Sequence, residues 1–458
     1  MFHSGLHERL PIDYLPGRQK TFGTSKPKDW IGGMPALKTS LRFLASCCVC
    51  AAAAAFQASA GEWPQILGPD RNGIAAGDEI LTDEWPADGP YTLWQRDVGR
   101  GYAGVAVADK RTLLFHRVDN NEVTEALDAA TGKTLWTAEY PTKFRPEVGG
   151  GDGPLCVPVI QGGRVFTFGA EGVLTCLDAA TGKRLWQRNT HADFRAQTGY
   201  FGAGSSPIVM GKLVIVNVGG AKNEAGIVAF SVATGETVWT KTGERASYSS
   251  PVPVMIADVP HLLVITRYRV ILLDPVTGAI RWQFAFGARG PTVNGANPLV
   301  LADKNGKPHL LVTASYGIGS LYGSFDKAGM TKVWANADSL ATQYCTPIAR
   351  GGFLFAIDGR DDVPPADLKC IKQSTGEVLW KEPNFGYGSL IFADGKIIAT
   401  KVDGELVLFQ PDMAGLKVLA RARPFPGTIR ALPALAAGKL YVRDEHTLKC
   451  LSVKPRVR

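Results

Sequence analysis

From residue 94 to the end of the chain, short runs of β-branched and apolar residues alternate with glycine-rich breaks. Between residues 154 and 188 the order is PLCVPVI, QGG, RVFTFG, AEG, VLTCLD, AATGK and RLWQR. That pattern predicts four strands joined by three tight turns. The unit recurs. ALDAATGKTLW ends at Trp136, CLDAATGKRLW at Trp186, AFSVATGETVW at Trp239, LLDPVTGAIRW at Trp282 and CIKQSTGEVLW at Trp380. A worn copy, SFDKAGMTKVW, ends at Trp334, and a more worn one, LFQPDMAGLKV, puts Val418 at the Trp position. Trp94, after Tyr91-Thr92-Leu93, reads as the tail of the same unit. Successive intervals from 94 are 42, 50, 53, 43, 52, 46 and 38 residues, the length of a propeller blade.

The fold class expected is therefore all-β, an eight-bladed β-propeller of four-stranded antiparallel blades. Its closure can be read from the two ends. After Val418 only three strand candidates remain (ALPALAA, KLYVRD and TLKCLSV), while YTLWQRDV stands upstream as a strand without a blade. Pairing Leu93-Trp94 with Cys450-Leu451 completes the eighth blade and removes two exposed edges. Seven blades is the alternative, with 381–418 as an insertion. In Asp-x-x-Thr-Gly the Asp opens the turn and the Gly supplies its positive φ. Trp94, Trp136, Trp186, Trp239, Trp282, Trp334 and Trp380 are read as structural residues packing on the neighbouring blade. Cys176, Cys370 and Cys450 share the repeat position of Ala126 and read as small core residues.

The chain has 458 residues, 45% hydrophobic and 20% charged, with 52 Gly, 29 Pro and 10 Trp. This excludes a disordered chain and a multi-span membrane protein, and it suits turn-rich β structure. Of the formal charge of +8, residues 1–60 carry +4, from seven basic and three acidic residues. No basic stripe stands out, so no nucleic-acid partner is expected. Lys38 and Arg42, the apolar run Leu41 to Phe56 and Ala58-Ser59-Ala60 form the three parts of a secretory signal. The organisation expected is a polar extension or mis-assigned start at 1–33 (Met34 being the alternative start), a signal at 34–60, a segment at 61–93 and one propeller at 94–458. The mature chain, with no transmembrane segment, should be a periplasmic or extracellular monomer. Leu44-Ala45-Ser46-Cys47 offers the competing reading of lipidation at Cys47. Five cysteines remain beyond the signal, an odd number that argues against a disulfide framework. Beyond the signal no CxxC, CxxCH or HExxH occurs, so no metal is expected.

The A-x-D-x-x-T-G-x-x-x-W unit resembles the tryptophan-docking repeat of the quinoprotein dehydrogenases and of the wider pyrroloquinoline quinone (PQQ)-like β-propeller repeat proteins. The resemblance covers residues 94–458. Trp63-Pro64-Gln65, Gly68-Pro69 and Arg71-Asn72-Gly73 are similar to the opening of many exported bacterial members. The resemblance implies the propeller fold. Among the dehydrogenases it also implies PQQ with calcium, a vicinal Cys-Cys over the quinone, and Glu, Asn and Asp around the metal. Here the sole Cys-Cys is Cys47-Cys48, inside the signal. No catalytic residue is therefore carried over, and PQQ with calcium stays with the alternative reading.

Loops entering the innermost strands should ring one mouth of the central channel. They carry Tyr102, Asp152, Tyr200, Arg245, Tyr248, Asn294, Asn297, Gln343, Tyr344, Tyr387 and Arg430. A concave rim with aromatic walls and a few polar groups is a ligand or partner site. The loop Gly359 to Asp367 is read as a solvated turn, with cation binding as the alternative. The function expected is an exported, non-catalytic propeller that binds a protein partner or a small molecule at this mouth. The alternatives are a scaffold lipoprotein of the outer-membrane-assembly type and a PQQ-dependent dehydrogenase.

Overall fold

Each glycine-punctuated run forms a strand, and the strands assemble into eight four-stranded antiparallel sheets. The computed structural model describes residues 61–455 apart from 291 and 304, within one compact unit. The expected signal at 34–60, with Cys47, lies outside the described residues. Blade one is Ala106–Ala108, Arg111–Val118, Asn121–Asp128 and Thr134–Pro141, from the channel outward. Blades two to seven repeat this order through Lys417–Ala422. Blade eight takes Ala434–Ala436, Lys439–Arg443 and Thr447–Ser452 from the end of the chain and Tyr91–Asp97 from its beginning. The register sets Thr92 opposite Leu451 and Trp94 opposite Cys450, as the strand count predicts. Among the described residues no helix is long and apolar enough to cross a membrane.

The seams between blades hold the core, and the tryptophans govern them. Every outermost strand is kinked by an irregularity in register at one place, just before the Trp position. There the indole turns into the seam and its Nε1–H donates to a carbonyl in the next blade's outer turn. Trp94 reaches Ala129, Trp136 reaches Ala179, Trp186 reaches Val232, Trp239 reaches Pro275, Trp282 reaches Asp326, Trp334 reaches Gln373 and Trp380 reaches Asp412, at 2.7–3.3 Å. In five of these seams, those of Trp94, Trp136, Trp186, Trp239 and Trp334, the turn glycine lies flat on the ring. A Cβ on Gly182 would sit 2.5 Å from Trp136. Small residues stand opposite several of the indoles, among them Ala126, Cys176, Cys370 and Cys450, all fully buried.

The seam between blades seven and eight differs. The turn from Gln410 to Lys417 is two residues longer than that from Asp178 to Lys183. The bulge therefore sets Ala420, not Val418, at the Trp position. The segment after residue 61 staples this seam instead. Glu79 accepts from the amides of Ala437 and Gly438 in blade eight. Leu81 gives its N–H to Asp394 and its carbonyl to Lys396 in blade seven.

The same segment closes one end of the channel. Trp63 bridges to Val107 of blade one, and Ile74 pairs in parallel with Phe392 of blade seven. Arg71 is fully buried, and its guanidinium donates to the carbonyls of Pro207 and Pro251, ahead of the inner strands of blades three and four. Burial without a carboxylate partner pulls this guanidinium down to about 9.

Removal of a buried indole leaves both a cavity and an unpaired carbonyl. Trp136→Ala should cost about 3–5 kcal/mol in denaturant unfolding. A loss below about 1 kcal/mol would show that the indole does not hold the seam. His191 supplies a pH test. It is buried against Phe168, and its ring fills the space over Gly172. Burial holds the imidazole down at about 4 against an ordinary 6.5. The unfolded chain takes up this proton first, so the stability present above pH 6.5 is lost as pH falls through that window. The stability of the wild type relative to His191→Gln should fall by about 1.4 kcal/mol per pH unit between 6.5 and 4. Parallel curves for the two proteins would refute this.

Candidate functional site

The channel is blind, because Ile66 and Leu67 of the N-terminal segment form part of its lining. What remains is a cup of about 420 Å³, open at the end where the loops enter the inner strands. That volume lies within the range of small-molecule sites.

A chain of hydrogen bonds between blades shapes the wall. Val157 N–H donates to Ser206 Oγ, Ser206 N–H to Ser250 Oγ, Ser250 N–H to Asn297 Oδ1, and Asn297 N–H to Thr346 Oγ1, at 2.8–3.0 Å. Each residue sits just ahead of an inner strand, so the short side chains tie blades two to six together around the axis. Large rings then stand on glycines. A Cβ on Gly204 would be 2.3 Å from the Tyr248 ring and one on Gly151 3.3 Å from the Tyr102 ring, while the Tyr344 ring packs edge-on against Tyr387. Phe201 packs on Gly150 and Tyr248. The glycines let three aromatic walls, Tyr102, Phe201 and Tyr248, sit against the backbone of neighbouring blades.

One charged constellation faces the cup. Arg430 Nε meets Asp361 Oδ2 at 2.7 Å, and the Asp361 side chain is only 9% exposed. Tyr344 donates its hydroxyl to the same Oδ2. Arg430 also donates to Tyr102 Oη and lies over that ring. Burial, with Asp361 adding to it, pushes the Tyr344 phenol well up, so it remains protonated. The paired carboxylate raises the Arg430 guanidinium despite its partial burial. Asp362 is held by Arg360.

Of the residues expected at the rim, Tyr102, Tyr248, Asn297, Gln343, Tyr344 and Arg430 come together on the cup. The other five do not line it. Asp152 binds Arg100, Arg117 and Arg145 in an ion cluster of its own. Tyr200 packs on Phe201 under Arg267, and Arg245 is exposed. Asn294 is buried and donates to the carbonyls of Thr266 and Arg267. Tyr387 is buried, its hydroxyl accepting from the amides of Tyr344 and Cys345. Its phenol is raised by that burial.

Sequence reasoning missed the floor, and it read the loop from Gly359 to Asp367 as a solvated turn, with cation binding as the alternative, where the structure sets Asp361 and Asp362 on the cup. The loop 359–366 joins the second and third strands of blade six. Such loops open on the same face as those entering inner strands, and this one is long enough to reach the mouth. Its carboxylates bind Arg430 and Arg360, and Asp367 at the head of the following strand binds Lys381, rather than standing free for a cation. Among the described residues no group of three or more His, Cys, Asp or Glu could hold a metal ion.

Comparison with known proteins gives the fold a family. A family described as outer membrane protein assembly factor BamB matches residues 119–382. No curated protein matches the chain. Among solved structures, quinohemoprotein alcohol dehydrogenase from Comamonas testosteroni superposes with a TM-score of 0.65 at 17% identity, covering 87% of this chain and 81% of that one. BamB from Moraxella catarrhalis gives 0.58 at 16% identity, over 80% and 99%. A europium-containing methanol dehydrogenase gives 0.59 at 14% identity, over 83% and 89%. At these identities the likeness is one of fold.

The Arg430–Asp361 pair can be tested alone. Arg430→Gln leaves a nearly buried carboxylate without its cation and should cost about 1–3 kcal/mol in urea unfolding. Adding Asp361→Asn should recover much of that loss. A double variant no better than the single would show that the pair is not coupled.

Proposed function

The chain belongs to the family described as outer membrane protein assembly factor BamB, and from that premise together with the cup we propose that it is an exported binding propeller that takes a small organic ligand into the blind, aromatic-walled end of its channel. The observation that carries this reading is the set of rings seated on glycines around one cup. Plugged below by Ile66 and Leu67, the cup offers a ligand enclosure and flat apolar contact, which are the main sources of small-molecule affinity. Export rests on the signal pattern at 34–60.

PQQ does not fit this donor set. It is a polycarboxylate, and Arg430 is the sole cation among the lining residues, already engaged by Asp361 with Asp362 beside it. A second reading, a scaffold for a protein partner, is favoured by the family's description and by a belt of apolar side chains. Leu93, Leu135, Leu185, Val238, Val333 and Leu379 each precede the Trp of an outermost strand and are 37–52% exposed. A partner that binds there would leave the cup free.

The test is thermal unfolding of the purified chain against a panel of metabolites that includes PQQ with calcium. At least one compound at saturating concentration should raise the midpoint by about 2 °C or more. Leu155→Trp, which fills the cup, should abolish that shift. A panel with no effect on the wild type, or a shift that survives Leu155→Trp, would overturn the proposal. Retention of a protein partner by Leu155→Trp would move the function to the belt.

A further inference from the structure

The polar groups of the cup are unequally satisfied, and that inequality describes the ligand. On blades four to six three donors have no acceptor. Tyr248 Oη accepts from Phe201 N–H, and its own hydrogen goes to no protein group. Asn297 is 3% exposed and its Oδ1 is held by Ser250, yet its Nδ2 has no partner. Thr346 Oγ1 accepts from Asn297 N–H and likewise donates to nothing. A buried donor without a partner costs about 1–3 kcal/mol, so such atoms mark where another molecule's oxygens belong. Burial pushes the Tyr248 phenol up to about 12, which keeps it a donor at neutral pH.

At the mouth the surplus is of the other kind. Asp361 and Asp362 are acceptor-only groups, and Asp362 is half exposed. Planar carboxylates held by arginines have lone pairs left for hydroxyl donors. The rings of Tyr102, Phe201, Tyr248 and Tyr344 line the same cup as these donors and acceptors. The charges on this lining do not call for an ionic ligand, since each carboxylate already has its guanidinium.

A ligand that suits all three features accepts along one edge, donates along another, is uncharged, and has flat apolar faces. We propose that the cup binds a neutral polyhydroxylated ring, a free monosaccharide or the terminal sugar of a glycan. Its hydroxyl oxygens accept from Tyr248, Asn297 and Thr346. Its hydroxyl hydrogens go to Asp361 and Asp362, and its C–H faces lie on the tyrosines. A flat aromatic compound would use the walls and leave the carboxylates idle. The inference rests on the binding reading above and narrows it to one class of ligand.

Titration calorimetry of the full chain with monosaccharides, their methyl glycosides and short oligosaccharides tests it. At least one sugar should bind saturably with one site per chain. Tyr248→Phe and Asp362→Asn, from opposite ends of the hydrogen-bonding set, should each weaken it about tenfold. The unfolding midpoint of Asp362→Asn should stay near that of the wild type, and Tyr248→Phe, which also leaves the Phe201 amide without its acceptor, should still unfold cooperatively at a somewhat lower midpoint. Equal binding of the methyl glycoside and of longer chains identifies a glycan end as the source, and binding of the free sugar alone identifies a monosaccharide. A cup that takes flat aromatic compounds and no sugar overturns this inference while the binding reading stands. A cup that takes neither overturns both. Sugar binding unchanged in both variants also overturns the assignment, because the hydroxyls then meet other groups.

Discussion

The propeller depends on one contact made seven times, an indole N–H given to the next blade's outer turn, and in five of the seven a glycine lies flat against the ring. The contact joins three local choices. The bulge aims the indole, the small residue opposite gives it room, and the positive-φ glycine lets the turn approach. A blade alone has two apolar faces and is not a stable unit, so its stability comes from its seams.

Toward the axis the indoles give way to short hydroxyl and amide side chains, which link the heads of neighbouring inner strands. Outer seams are large and apolar, inner seams small and polar. The taper leaves a channel, and the N-terminal segment turns it into a cup by inserting Ile66 and Leu67 and anchoring Arg71 on backbone carbonyls. The glycines that hold Tyr102, Phe201 and Tyr248 against neighbouring blades belong to the same scaffold. The walls of the site are thus as rigid as the ring itself.

The architecture was legible because repetition amplifies weak signals. Blade number, strand order and the pairing of Trp94 with Cys450 all followed from aligning one eleven-residue pattern with itself. The worn unit was misaligned at Val418, since a turn two residues longer moves the bulge to Ala420 without changing the composition. The cup was half legible. Tyr102, Tyr248, Asn297, Gln343, Tyr344 and Arg430 lie where inner-strand loops point, but Asn294 and Tyr387 sit in equivalent loops and turn into the seams. Sequence position fixes which loop a residue occupies and not which way it faces. Residues 61–75 lack strand periodicity and are expected only as part of a segment ahead of the propeller, yet they contain its floor. The apolar set Trp63, Ile66 and Leu67 beside a lone Arg71 was the signal available, and it needs a channel before it has meaning.

The pairing of Tyr91–Asp97 with Thr447–Ser452 also fixes a calendar for the chain. A ribosome makes residues in order at about 5–20 per second, so the first strand emerges tens of seconds before its partner exists. Until then its backbone groups face solvent as an open edge, and Trp94 has only the turn of blade one to rest on. Blades one to seven can stack in sequence as each is completed, but the final joint has to wait for the last residues. Maturation of the ring is therefore tied to completion of the polypeptide. A chain truncated near residue 445 would carry almost every blade and still lack the means to become a closed ring.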